Sequence, residues 1–308
     1  MTGNSRESWN TEINNFLESV SGGQLASMTM KTYRERFKNI SNYFCKKELS
    51  IQCLNKANSI YRFVDHMLET NLSQQTVYHN ISCLRMFSKY LFTEEIIKDL
   101  PKIDIEIGRK PPRILGFKEI DLVFSSLSWK EEIKTRAIFE LLYCTGIRVS
   151  ELINLKTSDI NINENTLIVI NEHNKRTVPL HLNQRNGLPT VKETIKTYLK
   201  DVRPGLFKKN GYENLFLTRT GRVYKRENIF MLVKNVCEHA GLEINISPQD
   251  LRSSLILHML ENDVDMNVIK ETLGLSSYFM FFNYLHLLDK SKMQKYRKIL
   301  RHVHNDYK

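Results

Sequence analysis

Apolar side chains recur every three or four residues through most of the first hundred positions. Met30, Tyr33, Phe37, Ile40 and Phe44 mark one stripe, and Val77, Ile81, Leu84, Phe87 and Leu91 mark another. This spacing lays one face of an α-helix against a core. Shorter helices are expected over 9–21 and 57–70. The periodicity stops in PKIDIEIGRKPPRILG, where Pro111 and Pro112 forbid helix and favour an extended segment, so residues 108–116 read as a linker.

Beyond the linker the helical period returns near 117–126 and 130–144 and then changes to two. TLIVIN and RTVPLHL alternate as strands do, with EHNK as the hairpin loop between them. Further helices are expected at 189–201, 225–240, 248–262 and 266–273, and from about 278 into the C-terminal tail. The pattern predicts an α-rich α+β protein. A helical domain spans 1–107, the linker 108–116, and a mostly α domain with a small antiparallel sheet 117–308.

A length of 308 residues suits two domains, each with its own core. Lys and Arg number 45 against 34 Asp and Glu, a formal charge of +11. Such an excess favours a polyanionic partner, because each neutralised phosphate releases counterions, and nucleic acid is the leading choice. A membrane is the weaker choice, since no run of about 18 apolar residues occurs. The opening MTGNSRESWN carries no apolar signal-peptide core, so a cytoplasmic location is expected. The five cysteines are scattered without a CxxC pair, which indicates neither a disulfide framework nor a zinc site. Lys31, Arg34 and Lys38 stand between apolar positions of one helix, and Arg109, Lys110 and Arg113 lie in the linker. All six are candidates for DNA backbone contact, against the plainer reading of a solvated helix face and a soluble linker.

Three segments carry candidate chemistry: TGIRVSELINL around Arg148, SPQDLRSSLILHML around Arg252, and LGLSSYFMFFNYLHL around Tyr284. In residue type, order and spacing they resemble the signature boxes of the tyrosine recombinase, or phage integrase, family, near its Xer and transposon-integrase branches. The likeness covers most of residues 113–290; over the first hundred it rests only on a basic helical domain in the expected place. The resemblance implies an N-terminal SAM-like core-binding domain and a C-terminal catalytic domain. It also implies a site-specific recombinase that cuts and rejoins double-stranded DNA without metal, ATP or other cofactor. By the same resemblance Tyr284 is the nucleophile, displacing a 5′-hydroxyl and leaving a 3′-phosphotyrosine, and Lys175 in the hairpin is the general acid. Arg148 and Arg252 would clamp the phosphate. Negative charge builds on its non-bridging oxygens during attack, and guanidinium presents a rigid, permanently charged fork to them. The family assembles as a homo-tetramer on DNA through a four-way junction, sometimes with an accessory protein. Here the basic tail after Tyr284, with Met293, Tyr296 and Leu300 at helical spacing, is the candidate exchanged segment.

Three positions depart from the family pattern. Gln249 stands where a histidine is usual and cannot shuttle a proton near neutral pH. Glu172 stands where Xer-type hairpins place their lysine, and Leu275 where a histidine or tryptophan is usual. Arg176 is an alternative to Lys175 as proton donor, and Tyr278 an alternative nucleophile. His258 is expected to cap or pack, and His286 to be structural or close to DNA. Glu151 either pairs with a neighbour to orient the site or is a helix-start carboxylate favoured by the macrodipole. Two functional readings stay open: an active recombinase, and an impaired DNA-binding relative that occupies or regulates recombination sites.

Overall fold

The computed structural model describes residues 2–21, 27–92, 112–127, 132–170, 175–180, 190–242 and 245–306. The chain divides into two units, Met1–Arg109 and Lys110–Lys308.

The first unit contains α1 (Thr2–Ser21), α2 (Ser27–Lys46), α3 (Ala57–Glu69) and α4 (Gln74–Leu91), with a 3-10 turn at Ile51–Asn55 before α3. Its core is aromatic. Trp9 of α1 stacks on Phe44 of α2 at 5.3 Å, and Phe37 meets Phe87 of α4 edge-to-face at 5.2 Å. Each ring comes from the apolar stripe of its helix, and all four are buried. The first helix begins at Thr2 rather than near residue 9, its polar first turns carrying no periodic signal.

The second unit is built on two helices that are apolar nearly all round. α5 (Phe117–Ser126) leads to α6 (Ile133–Thr145), which is buried from Arg136 to Thr145 and packs on the equally buried α11 (Pro248–Glu261). A helix hydrophobic on every side belongs at the centre of a domain. Between them in sequence come α7 (Val149–Asn154) and the strands β1 (Ile160–Asn161), β2 (Thr166–Ile170) and β3 (Lys175–Pro179). Next are α8 (Val191–Thr197), α9 (Arg203–Asn210) and α10 (Arg226–His239). After α11 follow α12 (Met266–Leu273), the single turn α13 (Phe282–Leu285) and α14 (Lys290–Asp306).

The sheet is antiparallel in the order β1-β2-β3. Leu167 faces Val178 and Val169 faces Arg176. Leu167, Val169 and Val178 are buried, so the period of two turns Arg176 inward and leaves Lys175 and Thr177 exposed. β3 therefore opens on Lys175, one residue before the expected strand, and Lys175 pairs with Ile170 instead of lying in the loop. β1, only two residues long, offers no alternation to read.

The expected helix over 189–201 is instead a longer, jointed one. Thr190 caps α8, a π-helical turn covers Tyr198–Val202, and α9 continues to Asn210, with Gly211 as its C-cap. Pro204 sits in the first turn of α9, directly after the π-helical turn. The expected helix from 278 is interrupted, as a 3-10 turn at Tyr278–Phe281, α13 and α14 divide it. α14 packs on its own unit. Tyr296 and Leu300 are buried in that core, and the Tyr296 hydroxyl donates to Leu260 O at 3.1 Å. Cys53, Cys83, Cys144 and Cys237 are buried free thiols and Cys45 is a half-buried one. No described helix is long and apolar enough to cross a membrane.

Candidate active site

The site begins where α6 ends. Gly146 takes the left-handed conformation with φ 58° and reverses the chain into Arg148, the residue capping α7. A Cβ here would lie 2.4 Å from Leu273 Cδ2, so both the turn and the close packing require glycine. In the first turn of α7 the Glu151 carboxylate reaches back and accepts the Arg148 backbone N–H at 2.8 Å.

Glu151 then gathers two guanidinium groups. Arg148 Nη1 lies 3.1 Å from its Oε1. Arg176 donates to both carboxylate oxygens at 2.8 Å, the fork-on-fork geometry of a strong charge-assisted pair. Burial would push the Glu151 carboxyl up, but these bonds and charges outweigh it and hold its pKa at about 2. The carboxylate is an orienting partner for arginines from two elements, not only a helix-start charge.

Arg252, on α11, is buried. Its Nη1 donates to Gly146 O and its Nη2 to Leu273 O at 2.7 Å. Desolvation first, then the like charges of Arg148 and Arg176, lowers its pKa to about 10, so it stays cationic at neutral pH. Tyr284, on α13, is close enough for Arg252 to act on its phenol electrostatically, although burial dominates and raises the Tyr284 pKa. Its hydroxyl donates to Ser253 Oγ at 3.2 Å. Arg148, Arg252 and Tyr284 thus converge from α7, α11 and α13.

Lys175 is exposed and, among the described residues, shares no hydrogen bond or ion pair with this cluster. Gln249 is exposed in the first turn of α11, and Leu275 is buried in the core. The Tyr278 hydroxyl is tied to Asn267. His258 packs as expected, buried against Phe117 and bonded through Nδ1 to the Tyr143 hydroxyl at 2.8 Å. His286 is exposed. Lys31, Arg34 and Lys38 are exposed on α2; Arg113 is exposed and donates to Asn245 O. Arg109, Lys110 and Glu172 lie outside the described residues. Among those described, no three His, Cys, Asp or Glu side chains come together as a cation site.

Sequence reasoning undervalued Arg176. As an alternative proton donor it is poorly placed, since Glu151 holds its two terminal nitrogens and Thr272 O accepts from Nε at 3.0 Å. The available signal was its alternation with Val178, which marks an arginine on the buried face of a strand.

Residues 114–291 match the model of the phage integrase family and residues 13–95 that of the phage integrase N-terminal SAM-like domain. The tyrosine recombinase XerD of Oceanobacillus iheyensis is 31% identical over 258 residues, covering 81% of this chain and 84% of that protein. The tyrosine recombinase XerD of Staphylococcus epidermidis is 29% identical over 290 residues, covering 92% and 95%. Among solved structures, the XerH site-specific recombinase bound to palindromic difH substrate, a post-cleavage complex, superimposes with a TM-score of 0.68 at 19% identity, covering 89% of this chain and 80% of that one. With its N-terminal helical unit, its α-rich second unit and this set of residues, the chain belongs to the phage integrase family of tyrosine recombinases, enzymes that cut and rejoin DNA strands.

Proposed function

We propose that this chain is a site-specific DNA recombinase acting in the cytoplasm, in which Tyr284 attacks a phosphodiester held by Arg148 and Arg252. The observation that carries the reading is that Arg252 lies within electrostatic reach of both Arg148 and Tyr284, three residues from three separate segments. Arg148 commits donors to Glu151 and to Gly274 O, and Arg252 to two carbonyls. A guanidinium carries five N–H groups, so each retains donors for a phosphate.

In the reaction, the Tyr284 phenol releases its proton to solvent as its oxygen bonds to phosphorus, and the bond from phosphorus to the 5′-oxygen breaks. Lys175, exposed at the start of β3, is the candidate to protonate the leaving 5′-oxygen as the hairpin closes on DNA. Rejoining is the reverse attack by a 5′-hydroxyl. The 3′-phosphotyrosine conserves the bond energy and the arginines supply the positive charge, so the chemistry needs neither ATP nor metal. Tyr284 is only 3% exposed, and a phosphate reaches it when α13 shifts off Ser253.

Lys31, Arg34 and Lys38 on α2, together with Arg109, Lys110 and Arg113, are the proposed DNA backbone contacts. The proposed assembly is a homo-tetramer that exchanges strands through a four-way junction, with α14 moving from its own unit to a neighbour's. A second reading, a relative that binds sites without cutting, draws on Gln249 and Leu275, neither of which can move a proton in this site.

Selection of bound fragments from random DNA supplies the site, and a nicked suicide version of it tests the reaction. The expected result is a protein–DNA adduct on a denaturing gel that disappears in Tyr284→Phe. Tight binding with no adduct would establish the second reading instead.

A further inference from the structure

We propose that Arg176 is a positioning residue of strand transfer, fixing the Arg148 guanidinium through Glu151 and the Thr272–Gly274 turn. The inference rests on the recombinase reading and adds a residue to it.

Every bond that Arg176 makes ends on a group that also holds the clamp, or next to one. Glu151 Oε1 accepts from Arg176 Nη1 at 2.8 Å and from Arg148 Nη1 at 3.1 Å. Arg176 Nε donates to Thr272 O at 3.0 Å, Arg252 Nη2 to Leu273 O at 2.7 Å, and Arg148 Nη2 to Gly274 O at 3.1 Å. Three guanidinium groups thus grip three successive carbonyls at the C-terminus of α12. That is where a helix leaves carbonyls without intrahelical partners and its dipole favours cations. Gly274, with φ 60°, permits the approach: a Cβ there would lie 3.1 Å from Arg176 Nη1 and 3.2 Å from its Cδ.

Stability alone does not account for the arrangement. A buried ion pair can commonly be replaced by apolar residues without loss, and Arg176 adds a like charge beside Arg252. What it does supply is a fixed carboxylate, charged at every physiological pH, against which Arg148 is oriented. A clamp held ready before substrate arrives avoids reorganisation during reaction.

The test measures single-turnover cleavage of a nicked suicide substrate by the full-length protein and by Arg176→Gln, Arg176→Lys and Gly274→Ala. DNA affinity and thermal melting are followed in parallel. The expected result is unchanged DNA affinity with a cleavage rate reduced about 10- to 100-fold in Arg176→Gln, the range seen when partners that orient reactive groups are removed. Arg176→Lys keeps the charge but loses the fork, so its rate should fall between those of Arg176→Gln and wild type. Arg176→Gln should also acquire a loss of rate on acidification towards pH 5 that the wild type lacks, because Glu151 loses the largest of the contacts that hold it as a carboxylate and keeps only those of Arg148. Wild-type rate and pH profile in Arg176→Gln would overturn the proposal, as would a rate loss that merely tracks the unfolded fraction in all three variants. Failure of the wild type itself to form an adduct would overturn the recombinase reading and this inference with it.

Discussion

At Glu151, a carboxyl with an ordinary value of 4.5 is held at about 2 although the side chain is buried. Burial alone would raise it, so the Arg176 bonds, the Arg148 N–H and the two positive charges together outweigh desolvation. Because the folded value is depressed, this group stabilises the fold fully above about pH 4.5 and loses that contribution as pH falls towards 2. The depression corresponds to on the order of 3 kcal/mol. Glu151→Gln should therefore flatten the loss of denaturant stability of the second unit between pH 6 and pH 3. Identical pH slopes for wild type and variant would contradict the assignment. Arg148, Arg252 and Tyr284 stand out as candidates in the sequence because each lies in a contiguous segment with its own local signature. The Arg176 partnership does not, because it joins a strand, the start of α7 and the end of α12, residues 151, 176 and 272. The same holds for Ser253, whose contact with Tyr284 depends on how α13 folds back over α11.

The end of α6 and the start of α7 deliver Arg148 and meet Arg252 at one glycine. Gly146 joins the two: its left-handed turn aims Arg148, its carbonyl accepts from Arg252, and its missing Cβ admits Leu273. Gly146→Ala should destabilise the second unit by at least the ~1–2 kcal/mol of a left-handed L-residue. The clash with Leu273 adds to this, and a melting temperature lowered by about 2–4 °C per kcal/mol follows for a unit of this size. An unchanged melting temperature would mean that the turn is not built as described. Most elements were readable because a stripe of period 3.6 or 2 survives in the sequence. Those that were not are short or interrupted: β1 has two residues, the π-helical turn at Tyr198–Val202 breaks the period, and the tail bends at residues 286–289 before α14. The Tyr296 hydroxyl on Leu260 O is a tertiary contact that seats α14 and that no local pattern announces.

For the whole molecule, a formal charge of +11 and an exposed basic face on α2 accompany a site that concentrates three arginines around one carboxylate. In a DNA complex the α2 face should act through phosphates, without base discrimination. The triple variant Lys31→Gln, Arg34→Gln, Lys38→Gln should weaken binding about equally across sequences. It should also reduce the slope of log affinity against log salt by about 0.9 for each phosphate no longer neutralised. An unchanged slope would mean that other side chains neutralise the backbone. The central claim, that Tyr284 is the nucleophile, is tested most directly by isolating the protein–DNA adduct, digesting protein and DNA, and identifying the nucleotide-bearing peptide by mass spectrometry. The account predicts a phosphodiester-linked nucleotide on Tyr284; a nucleotide on Tyr278 or any other residue would contradict it.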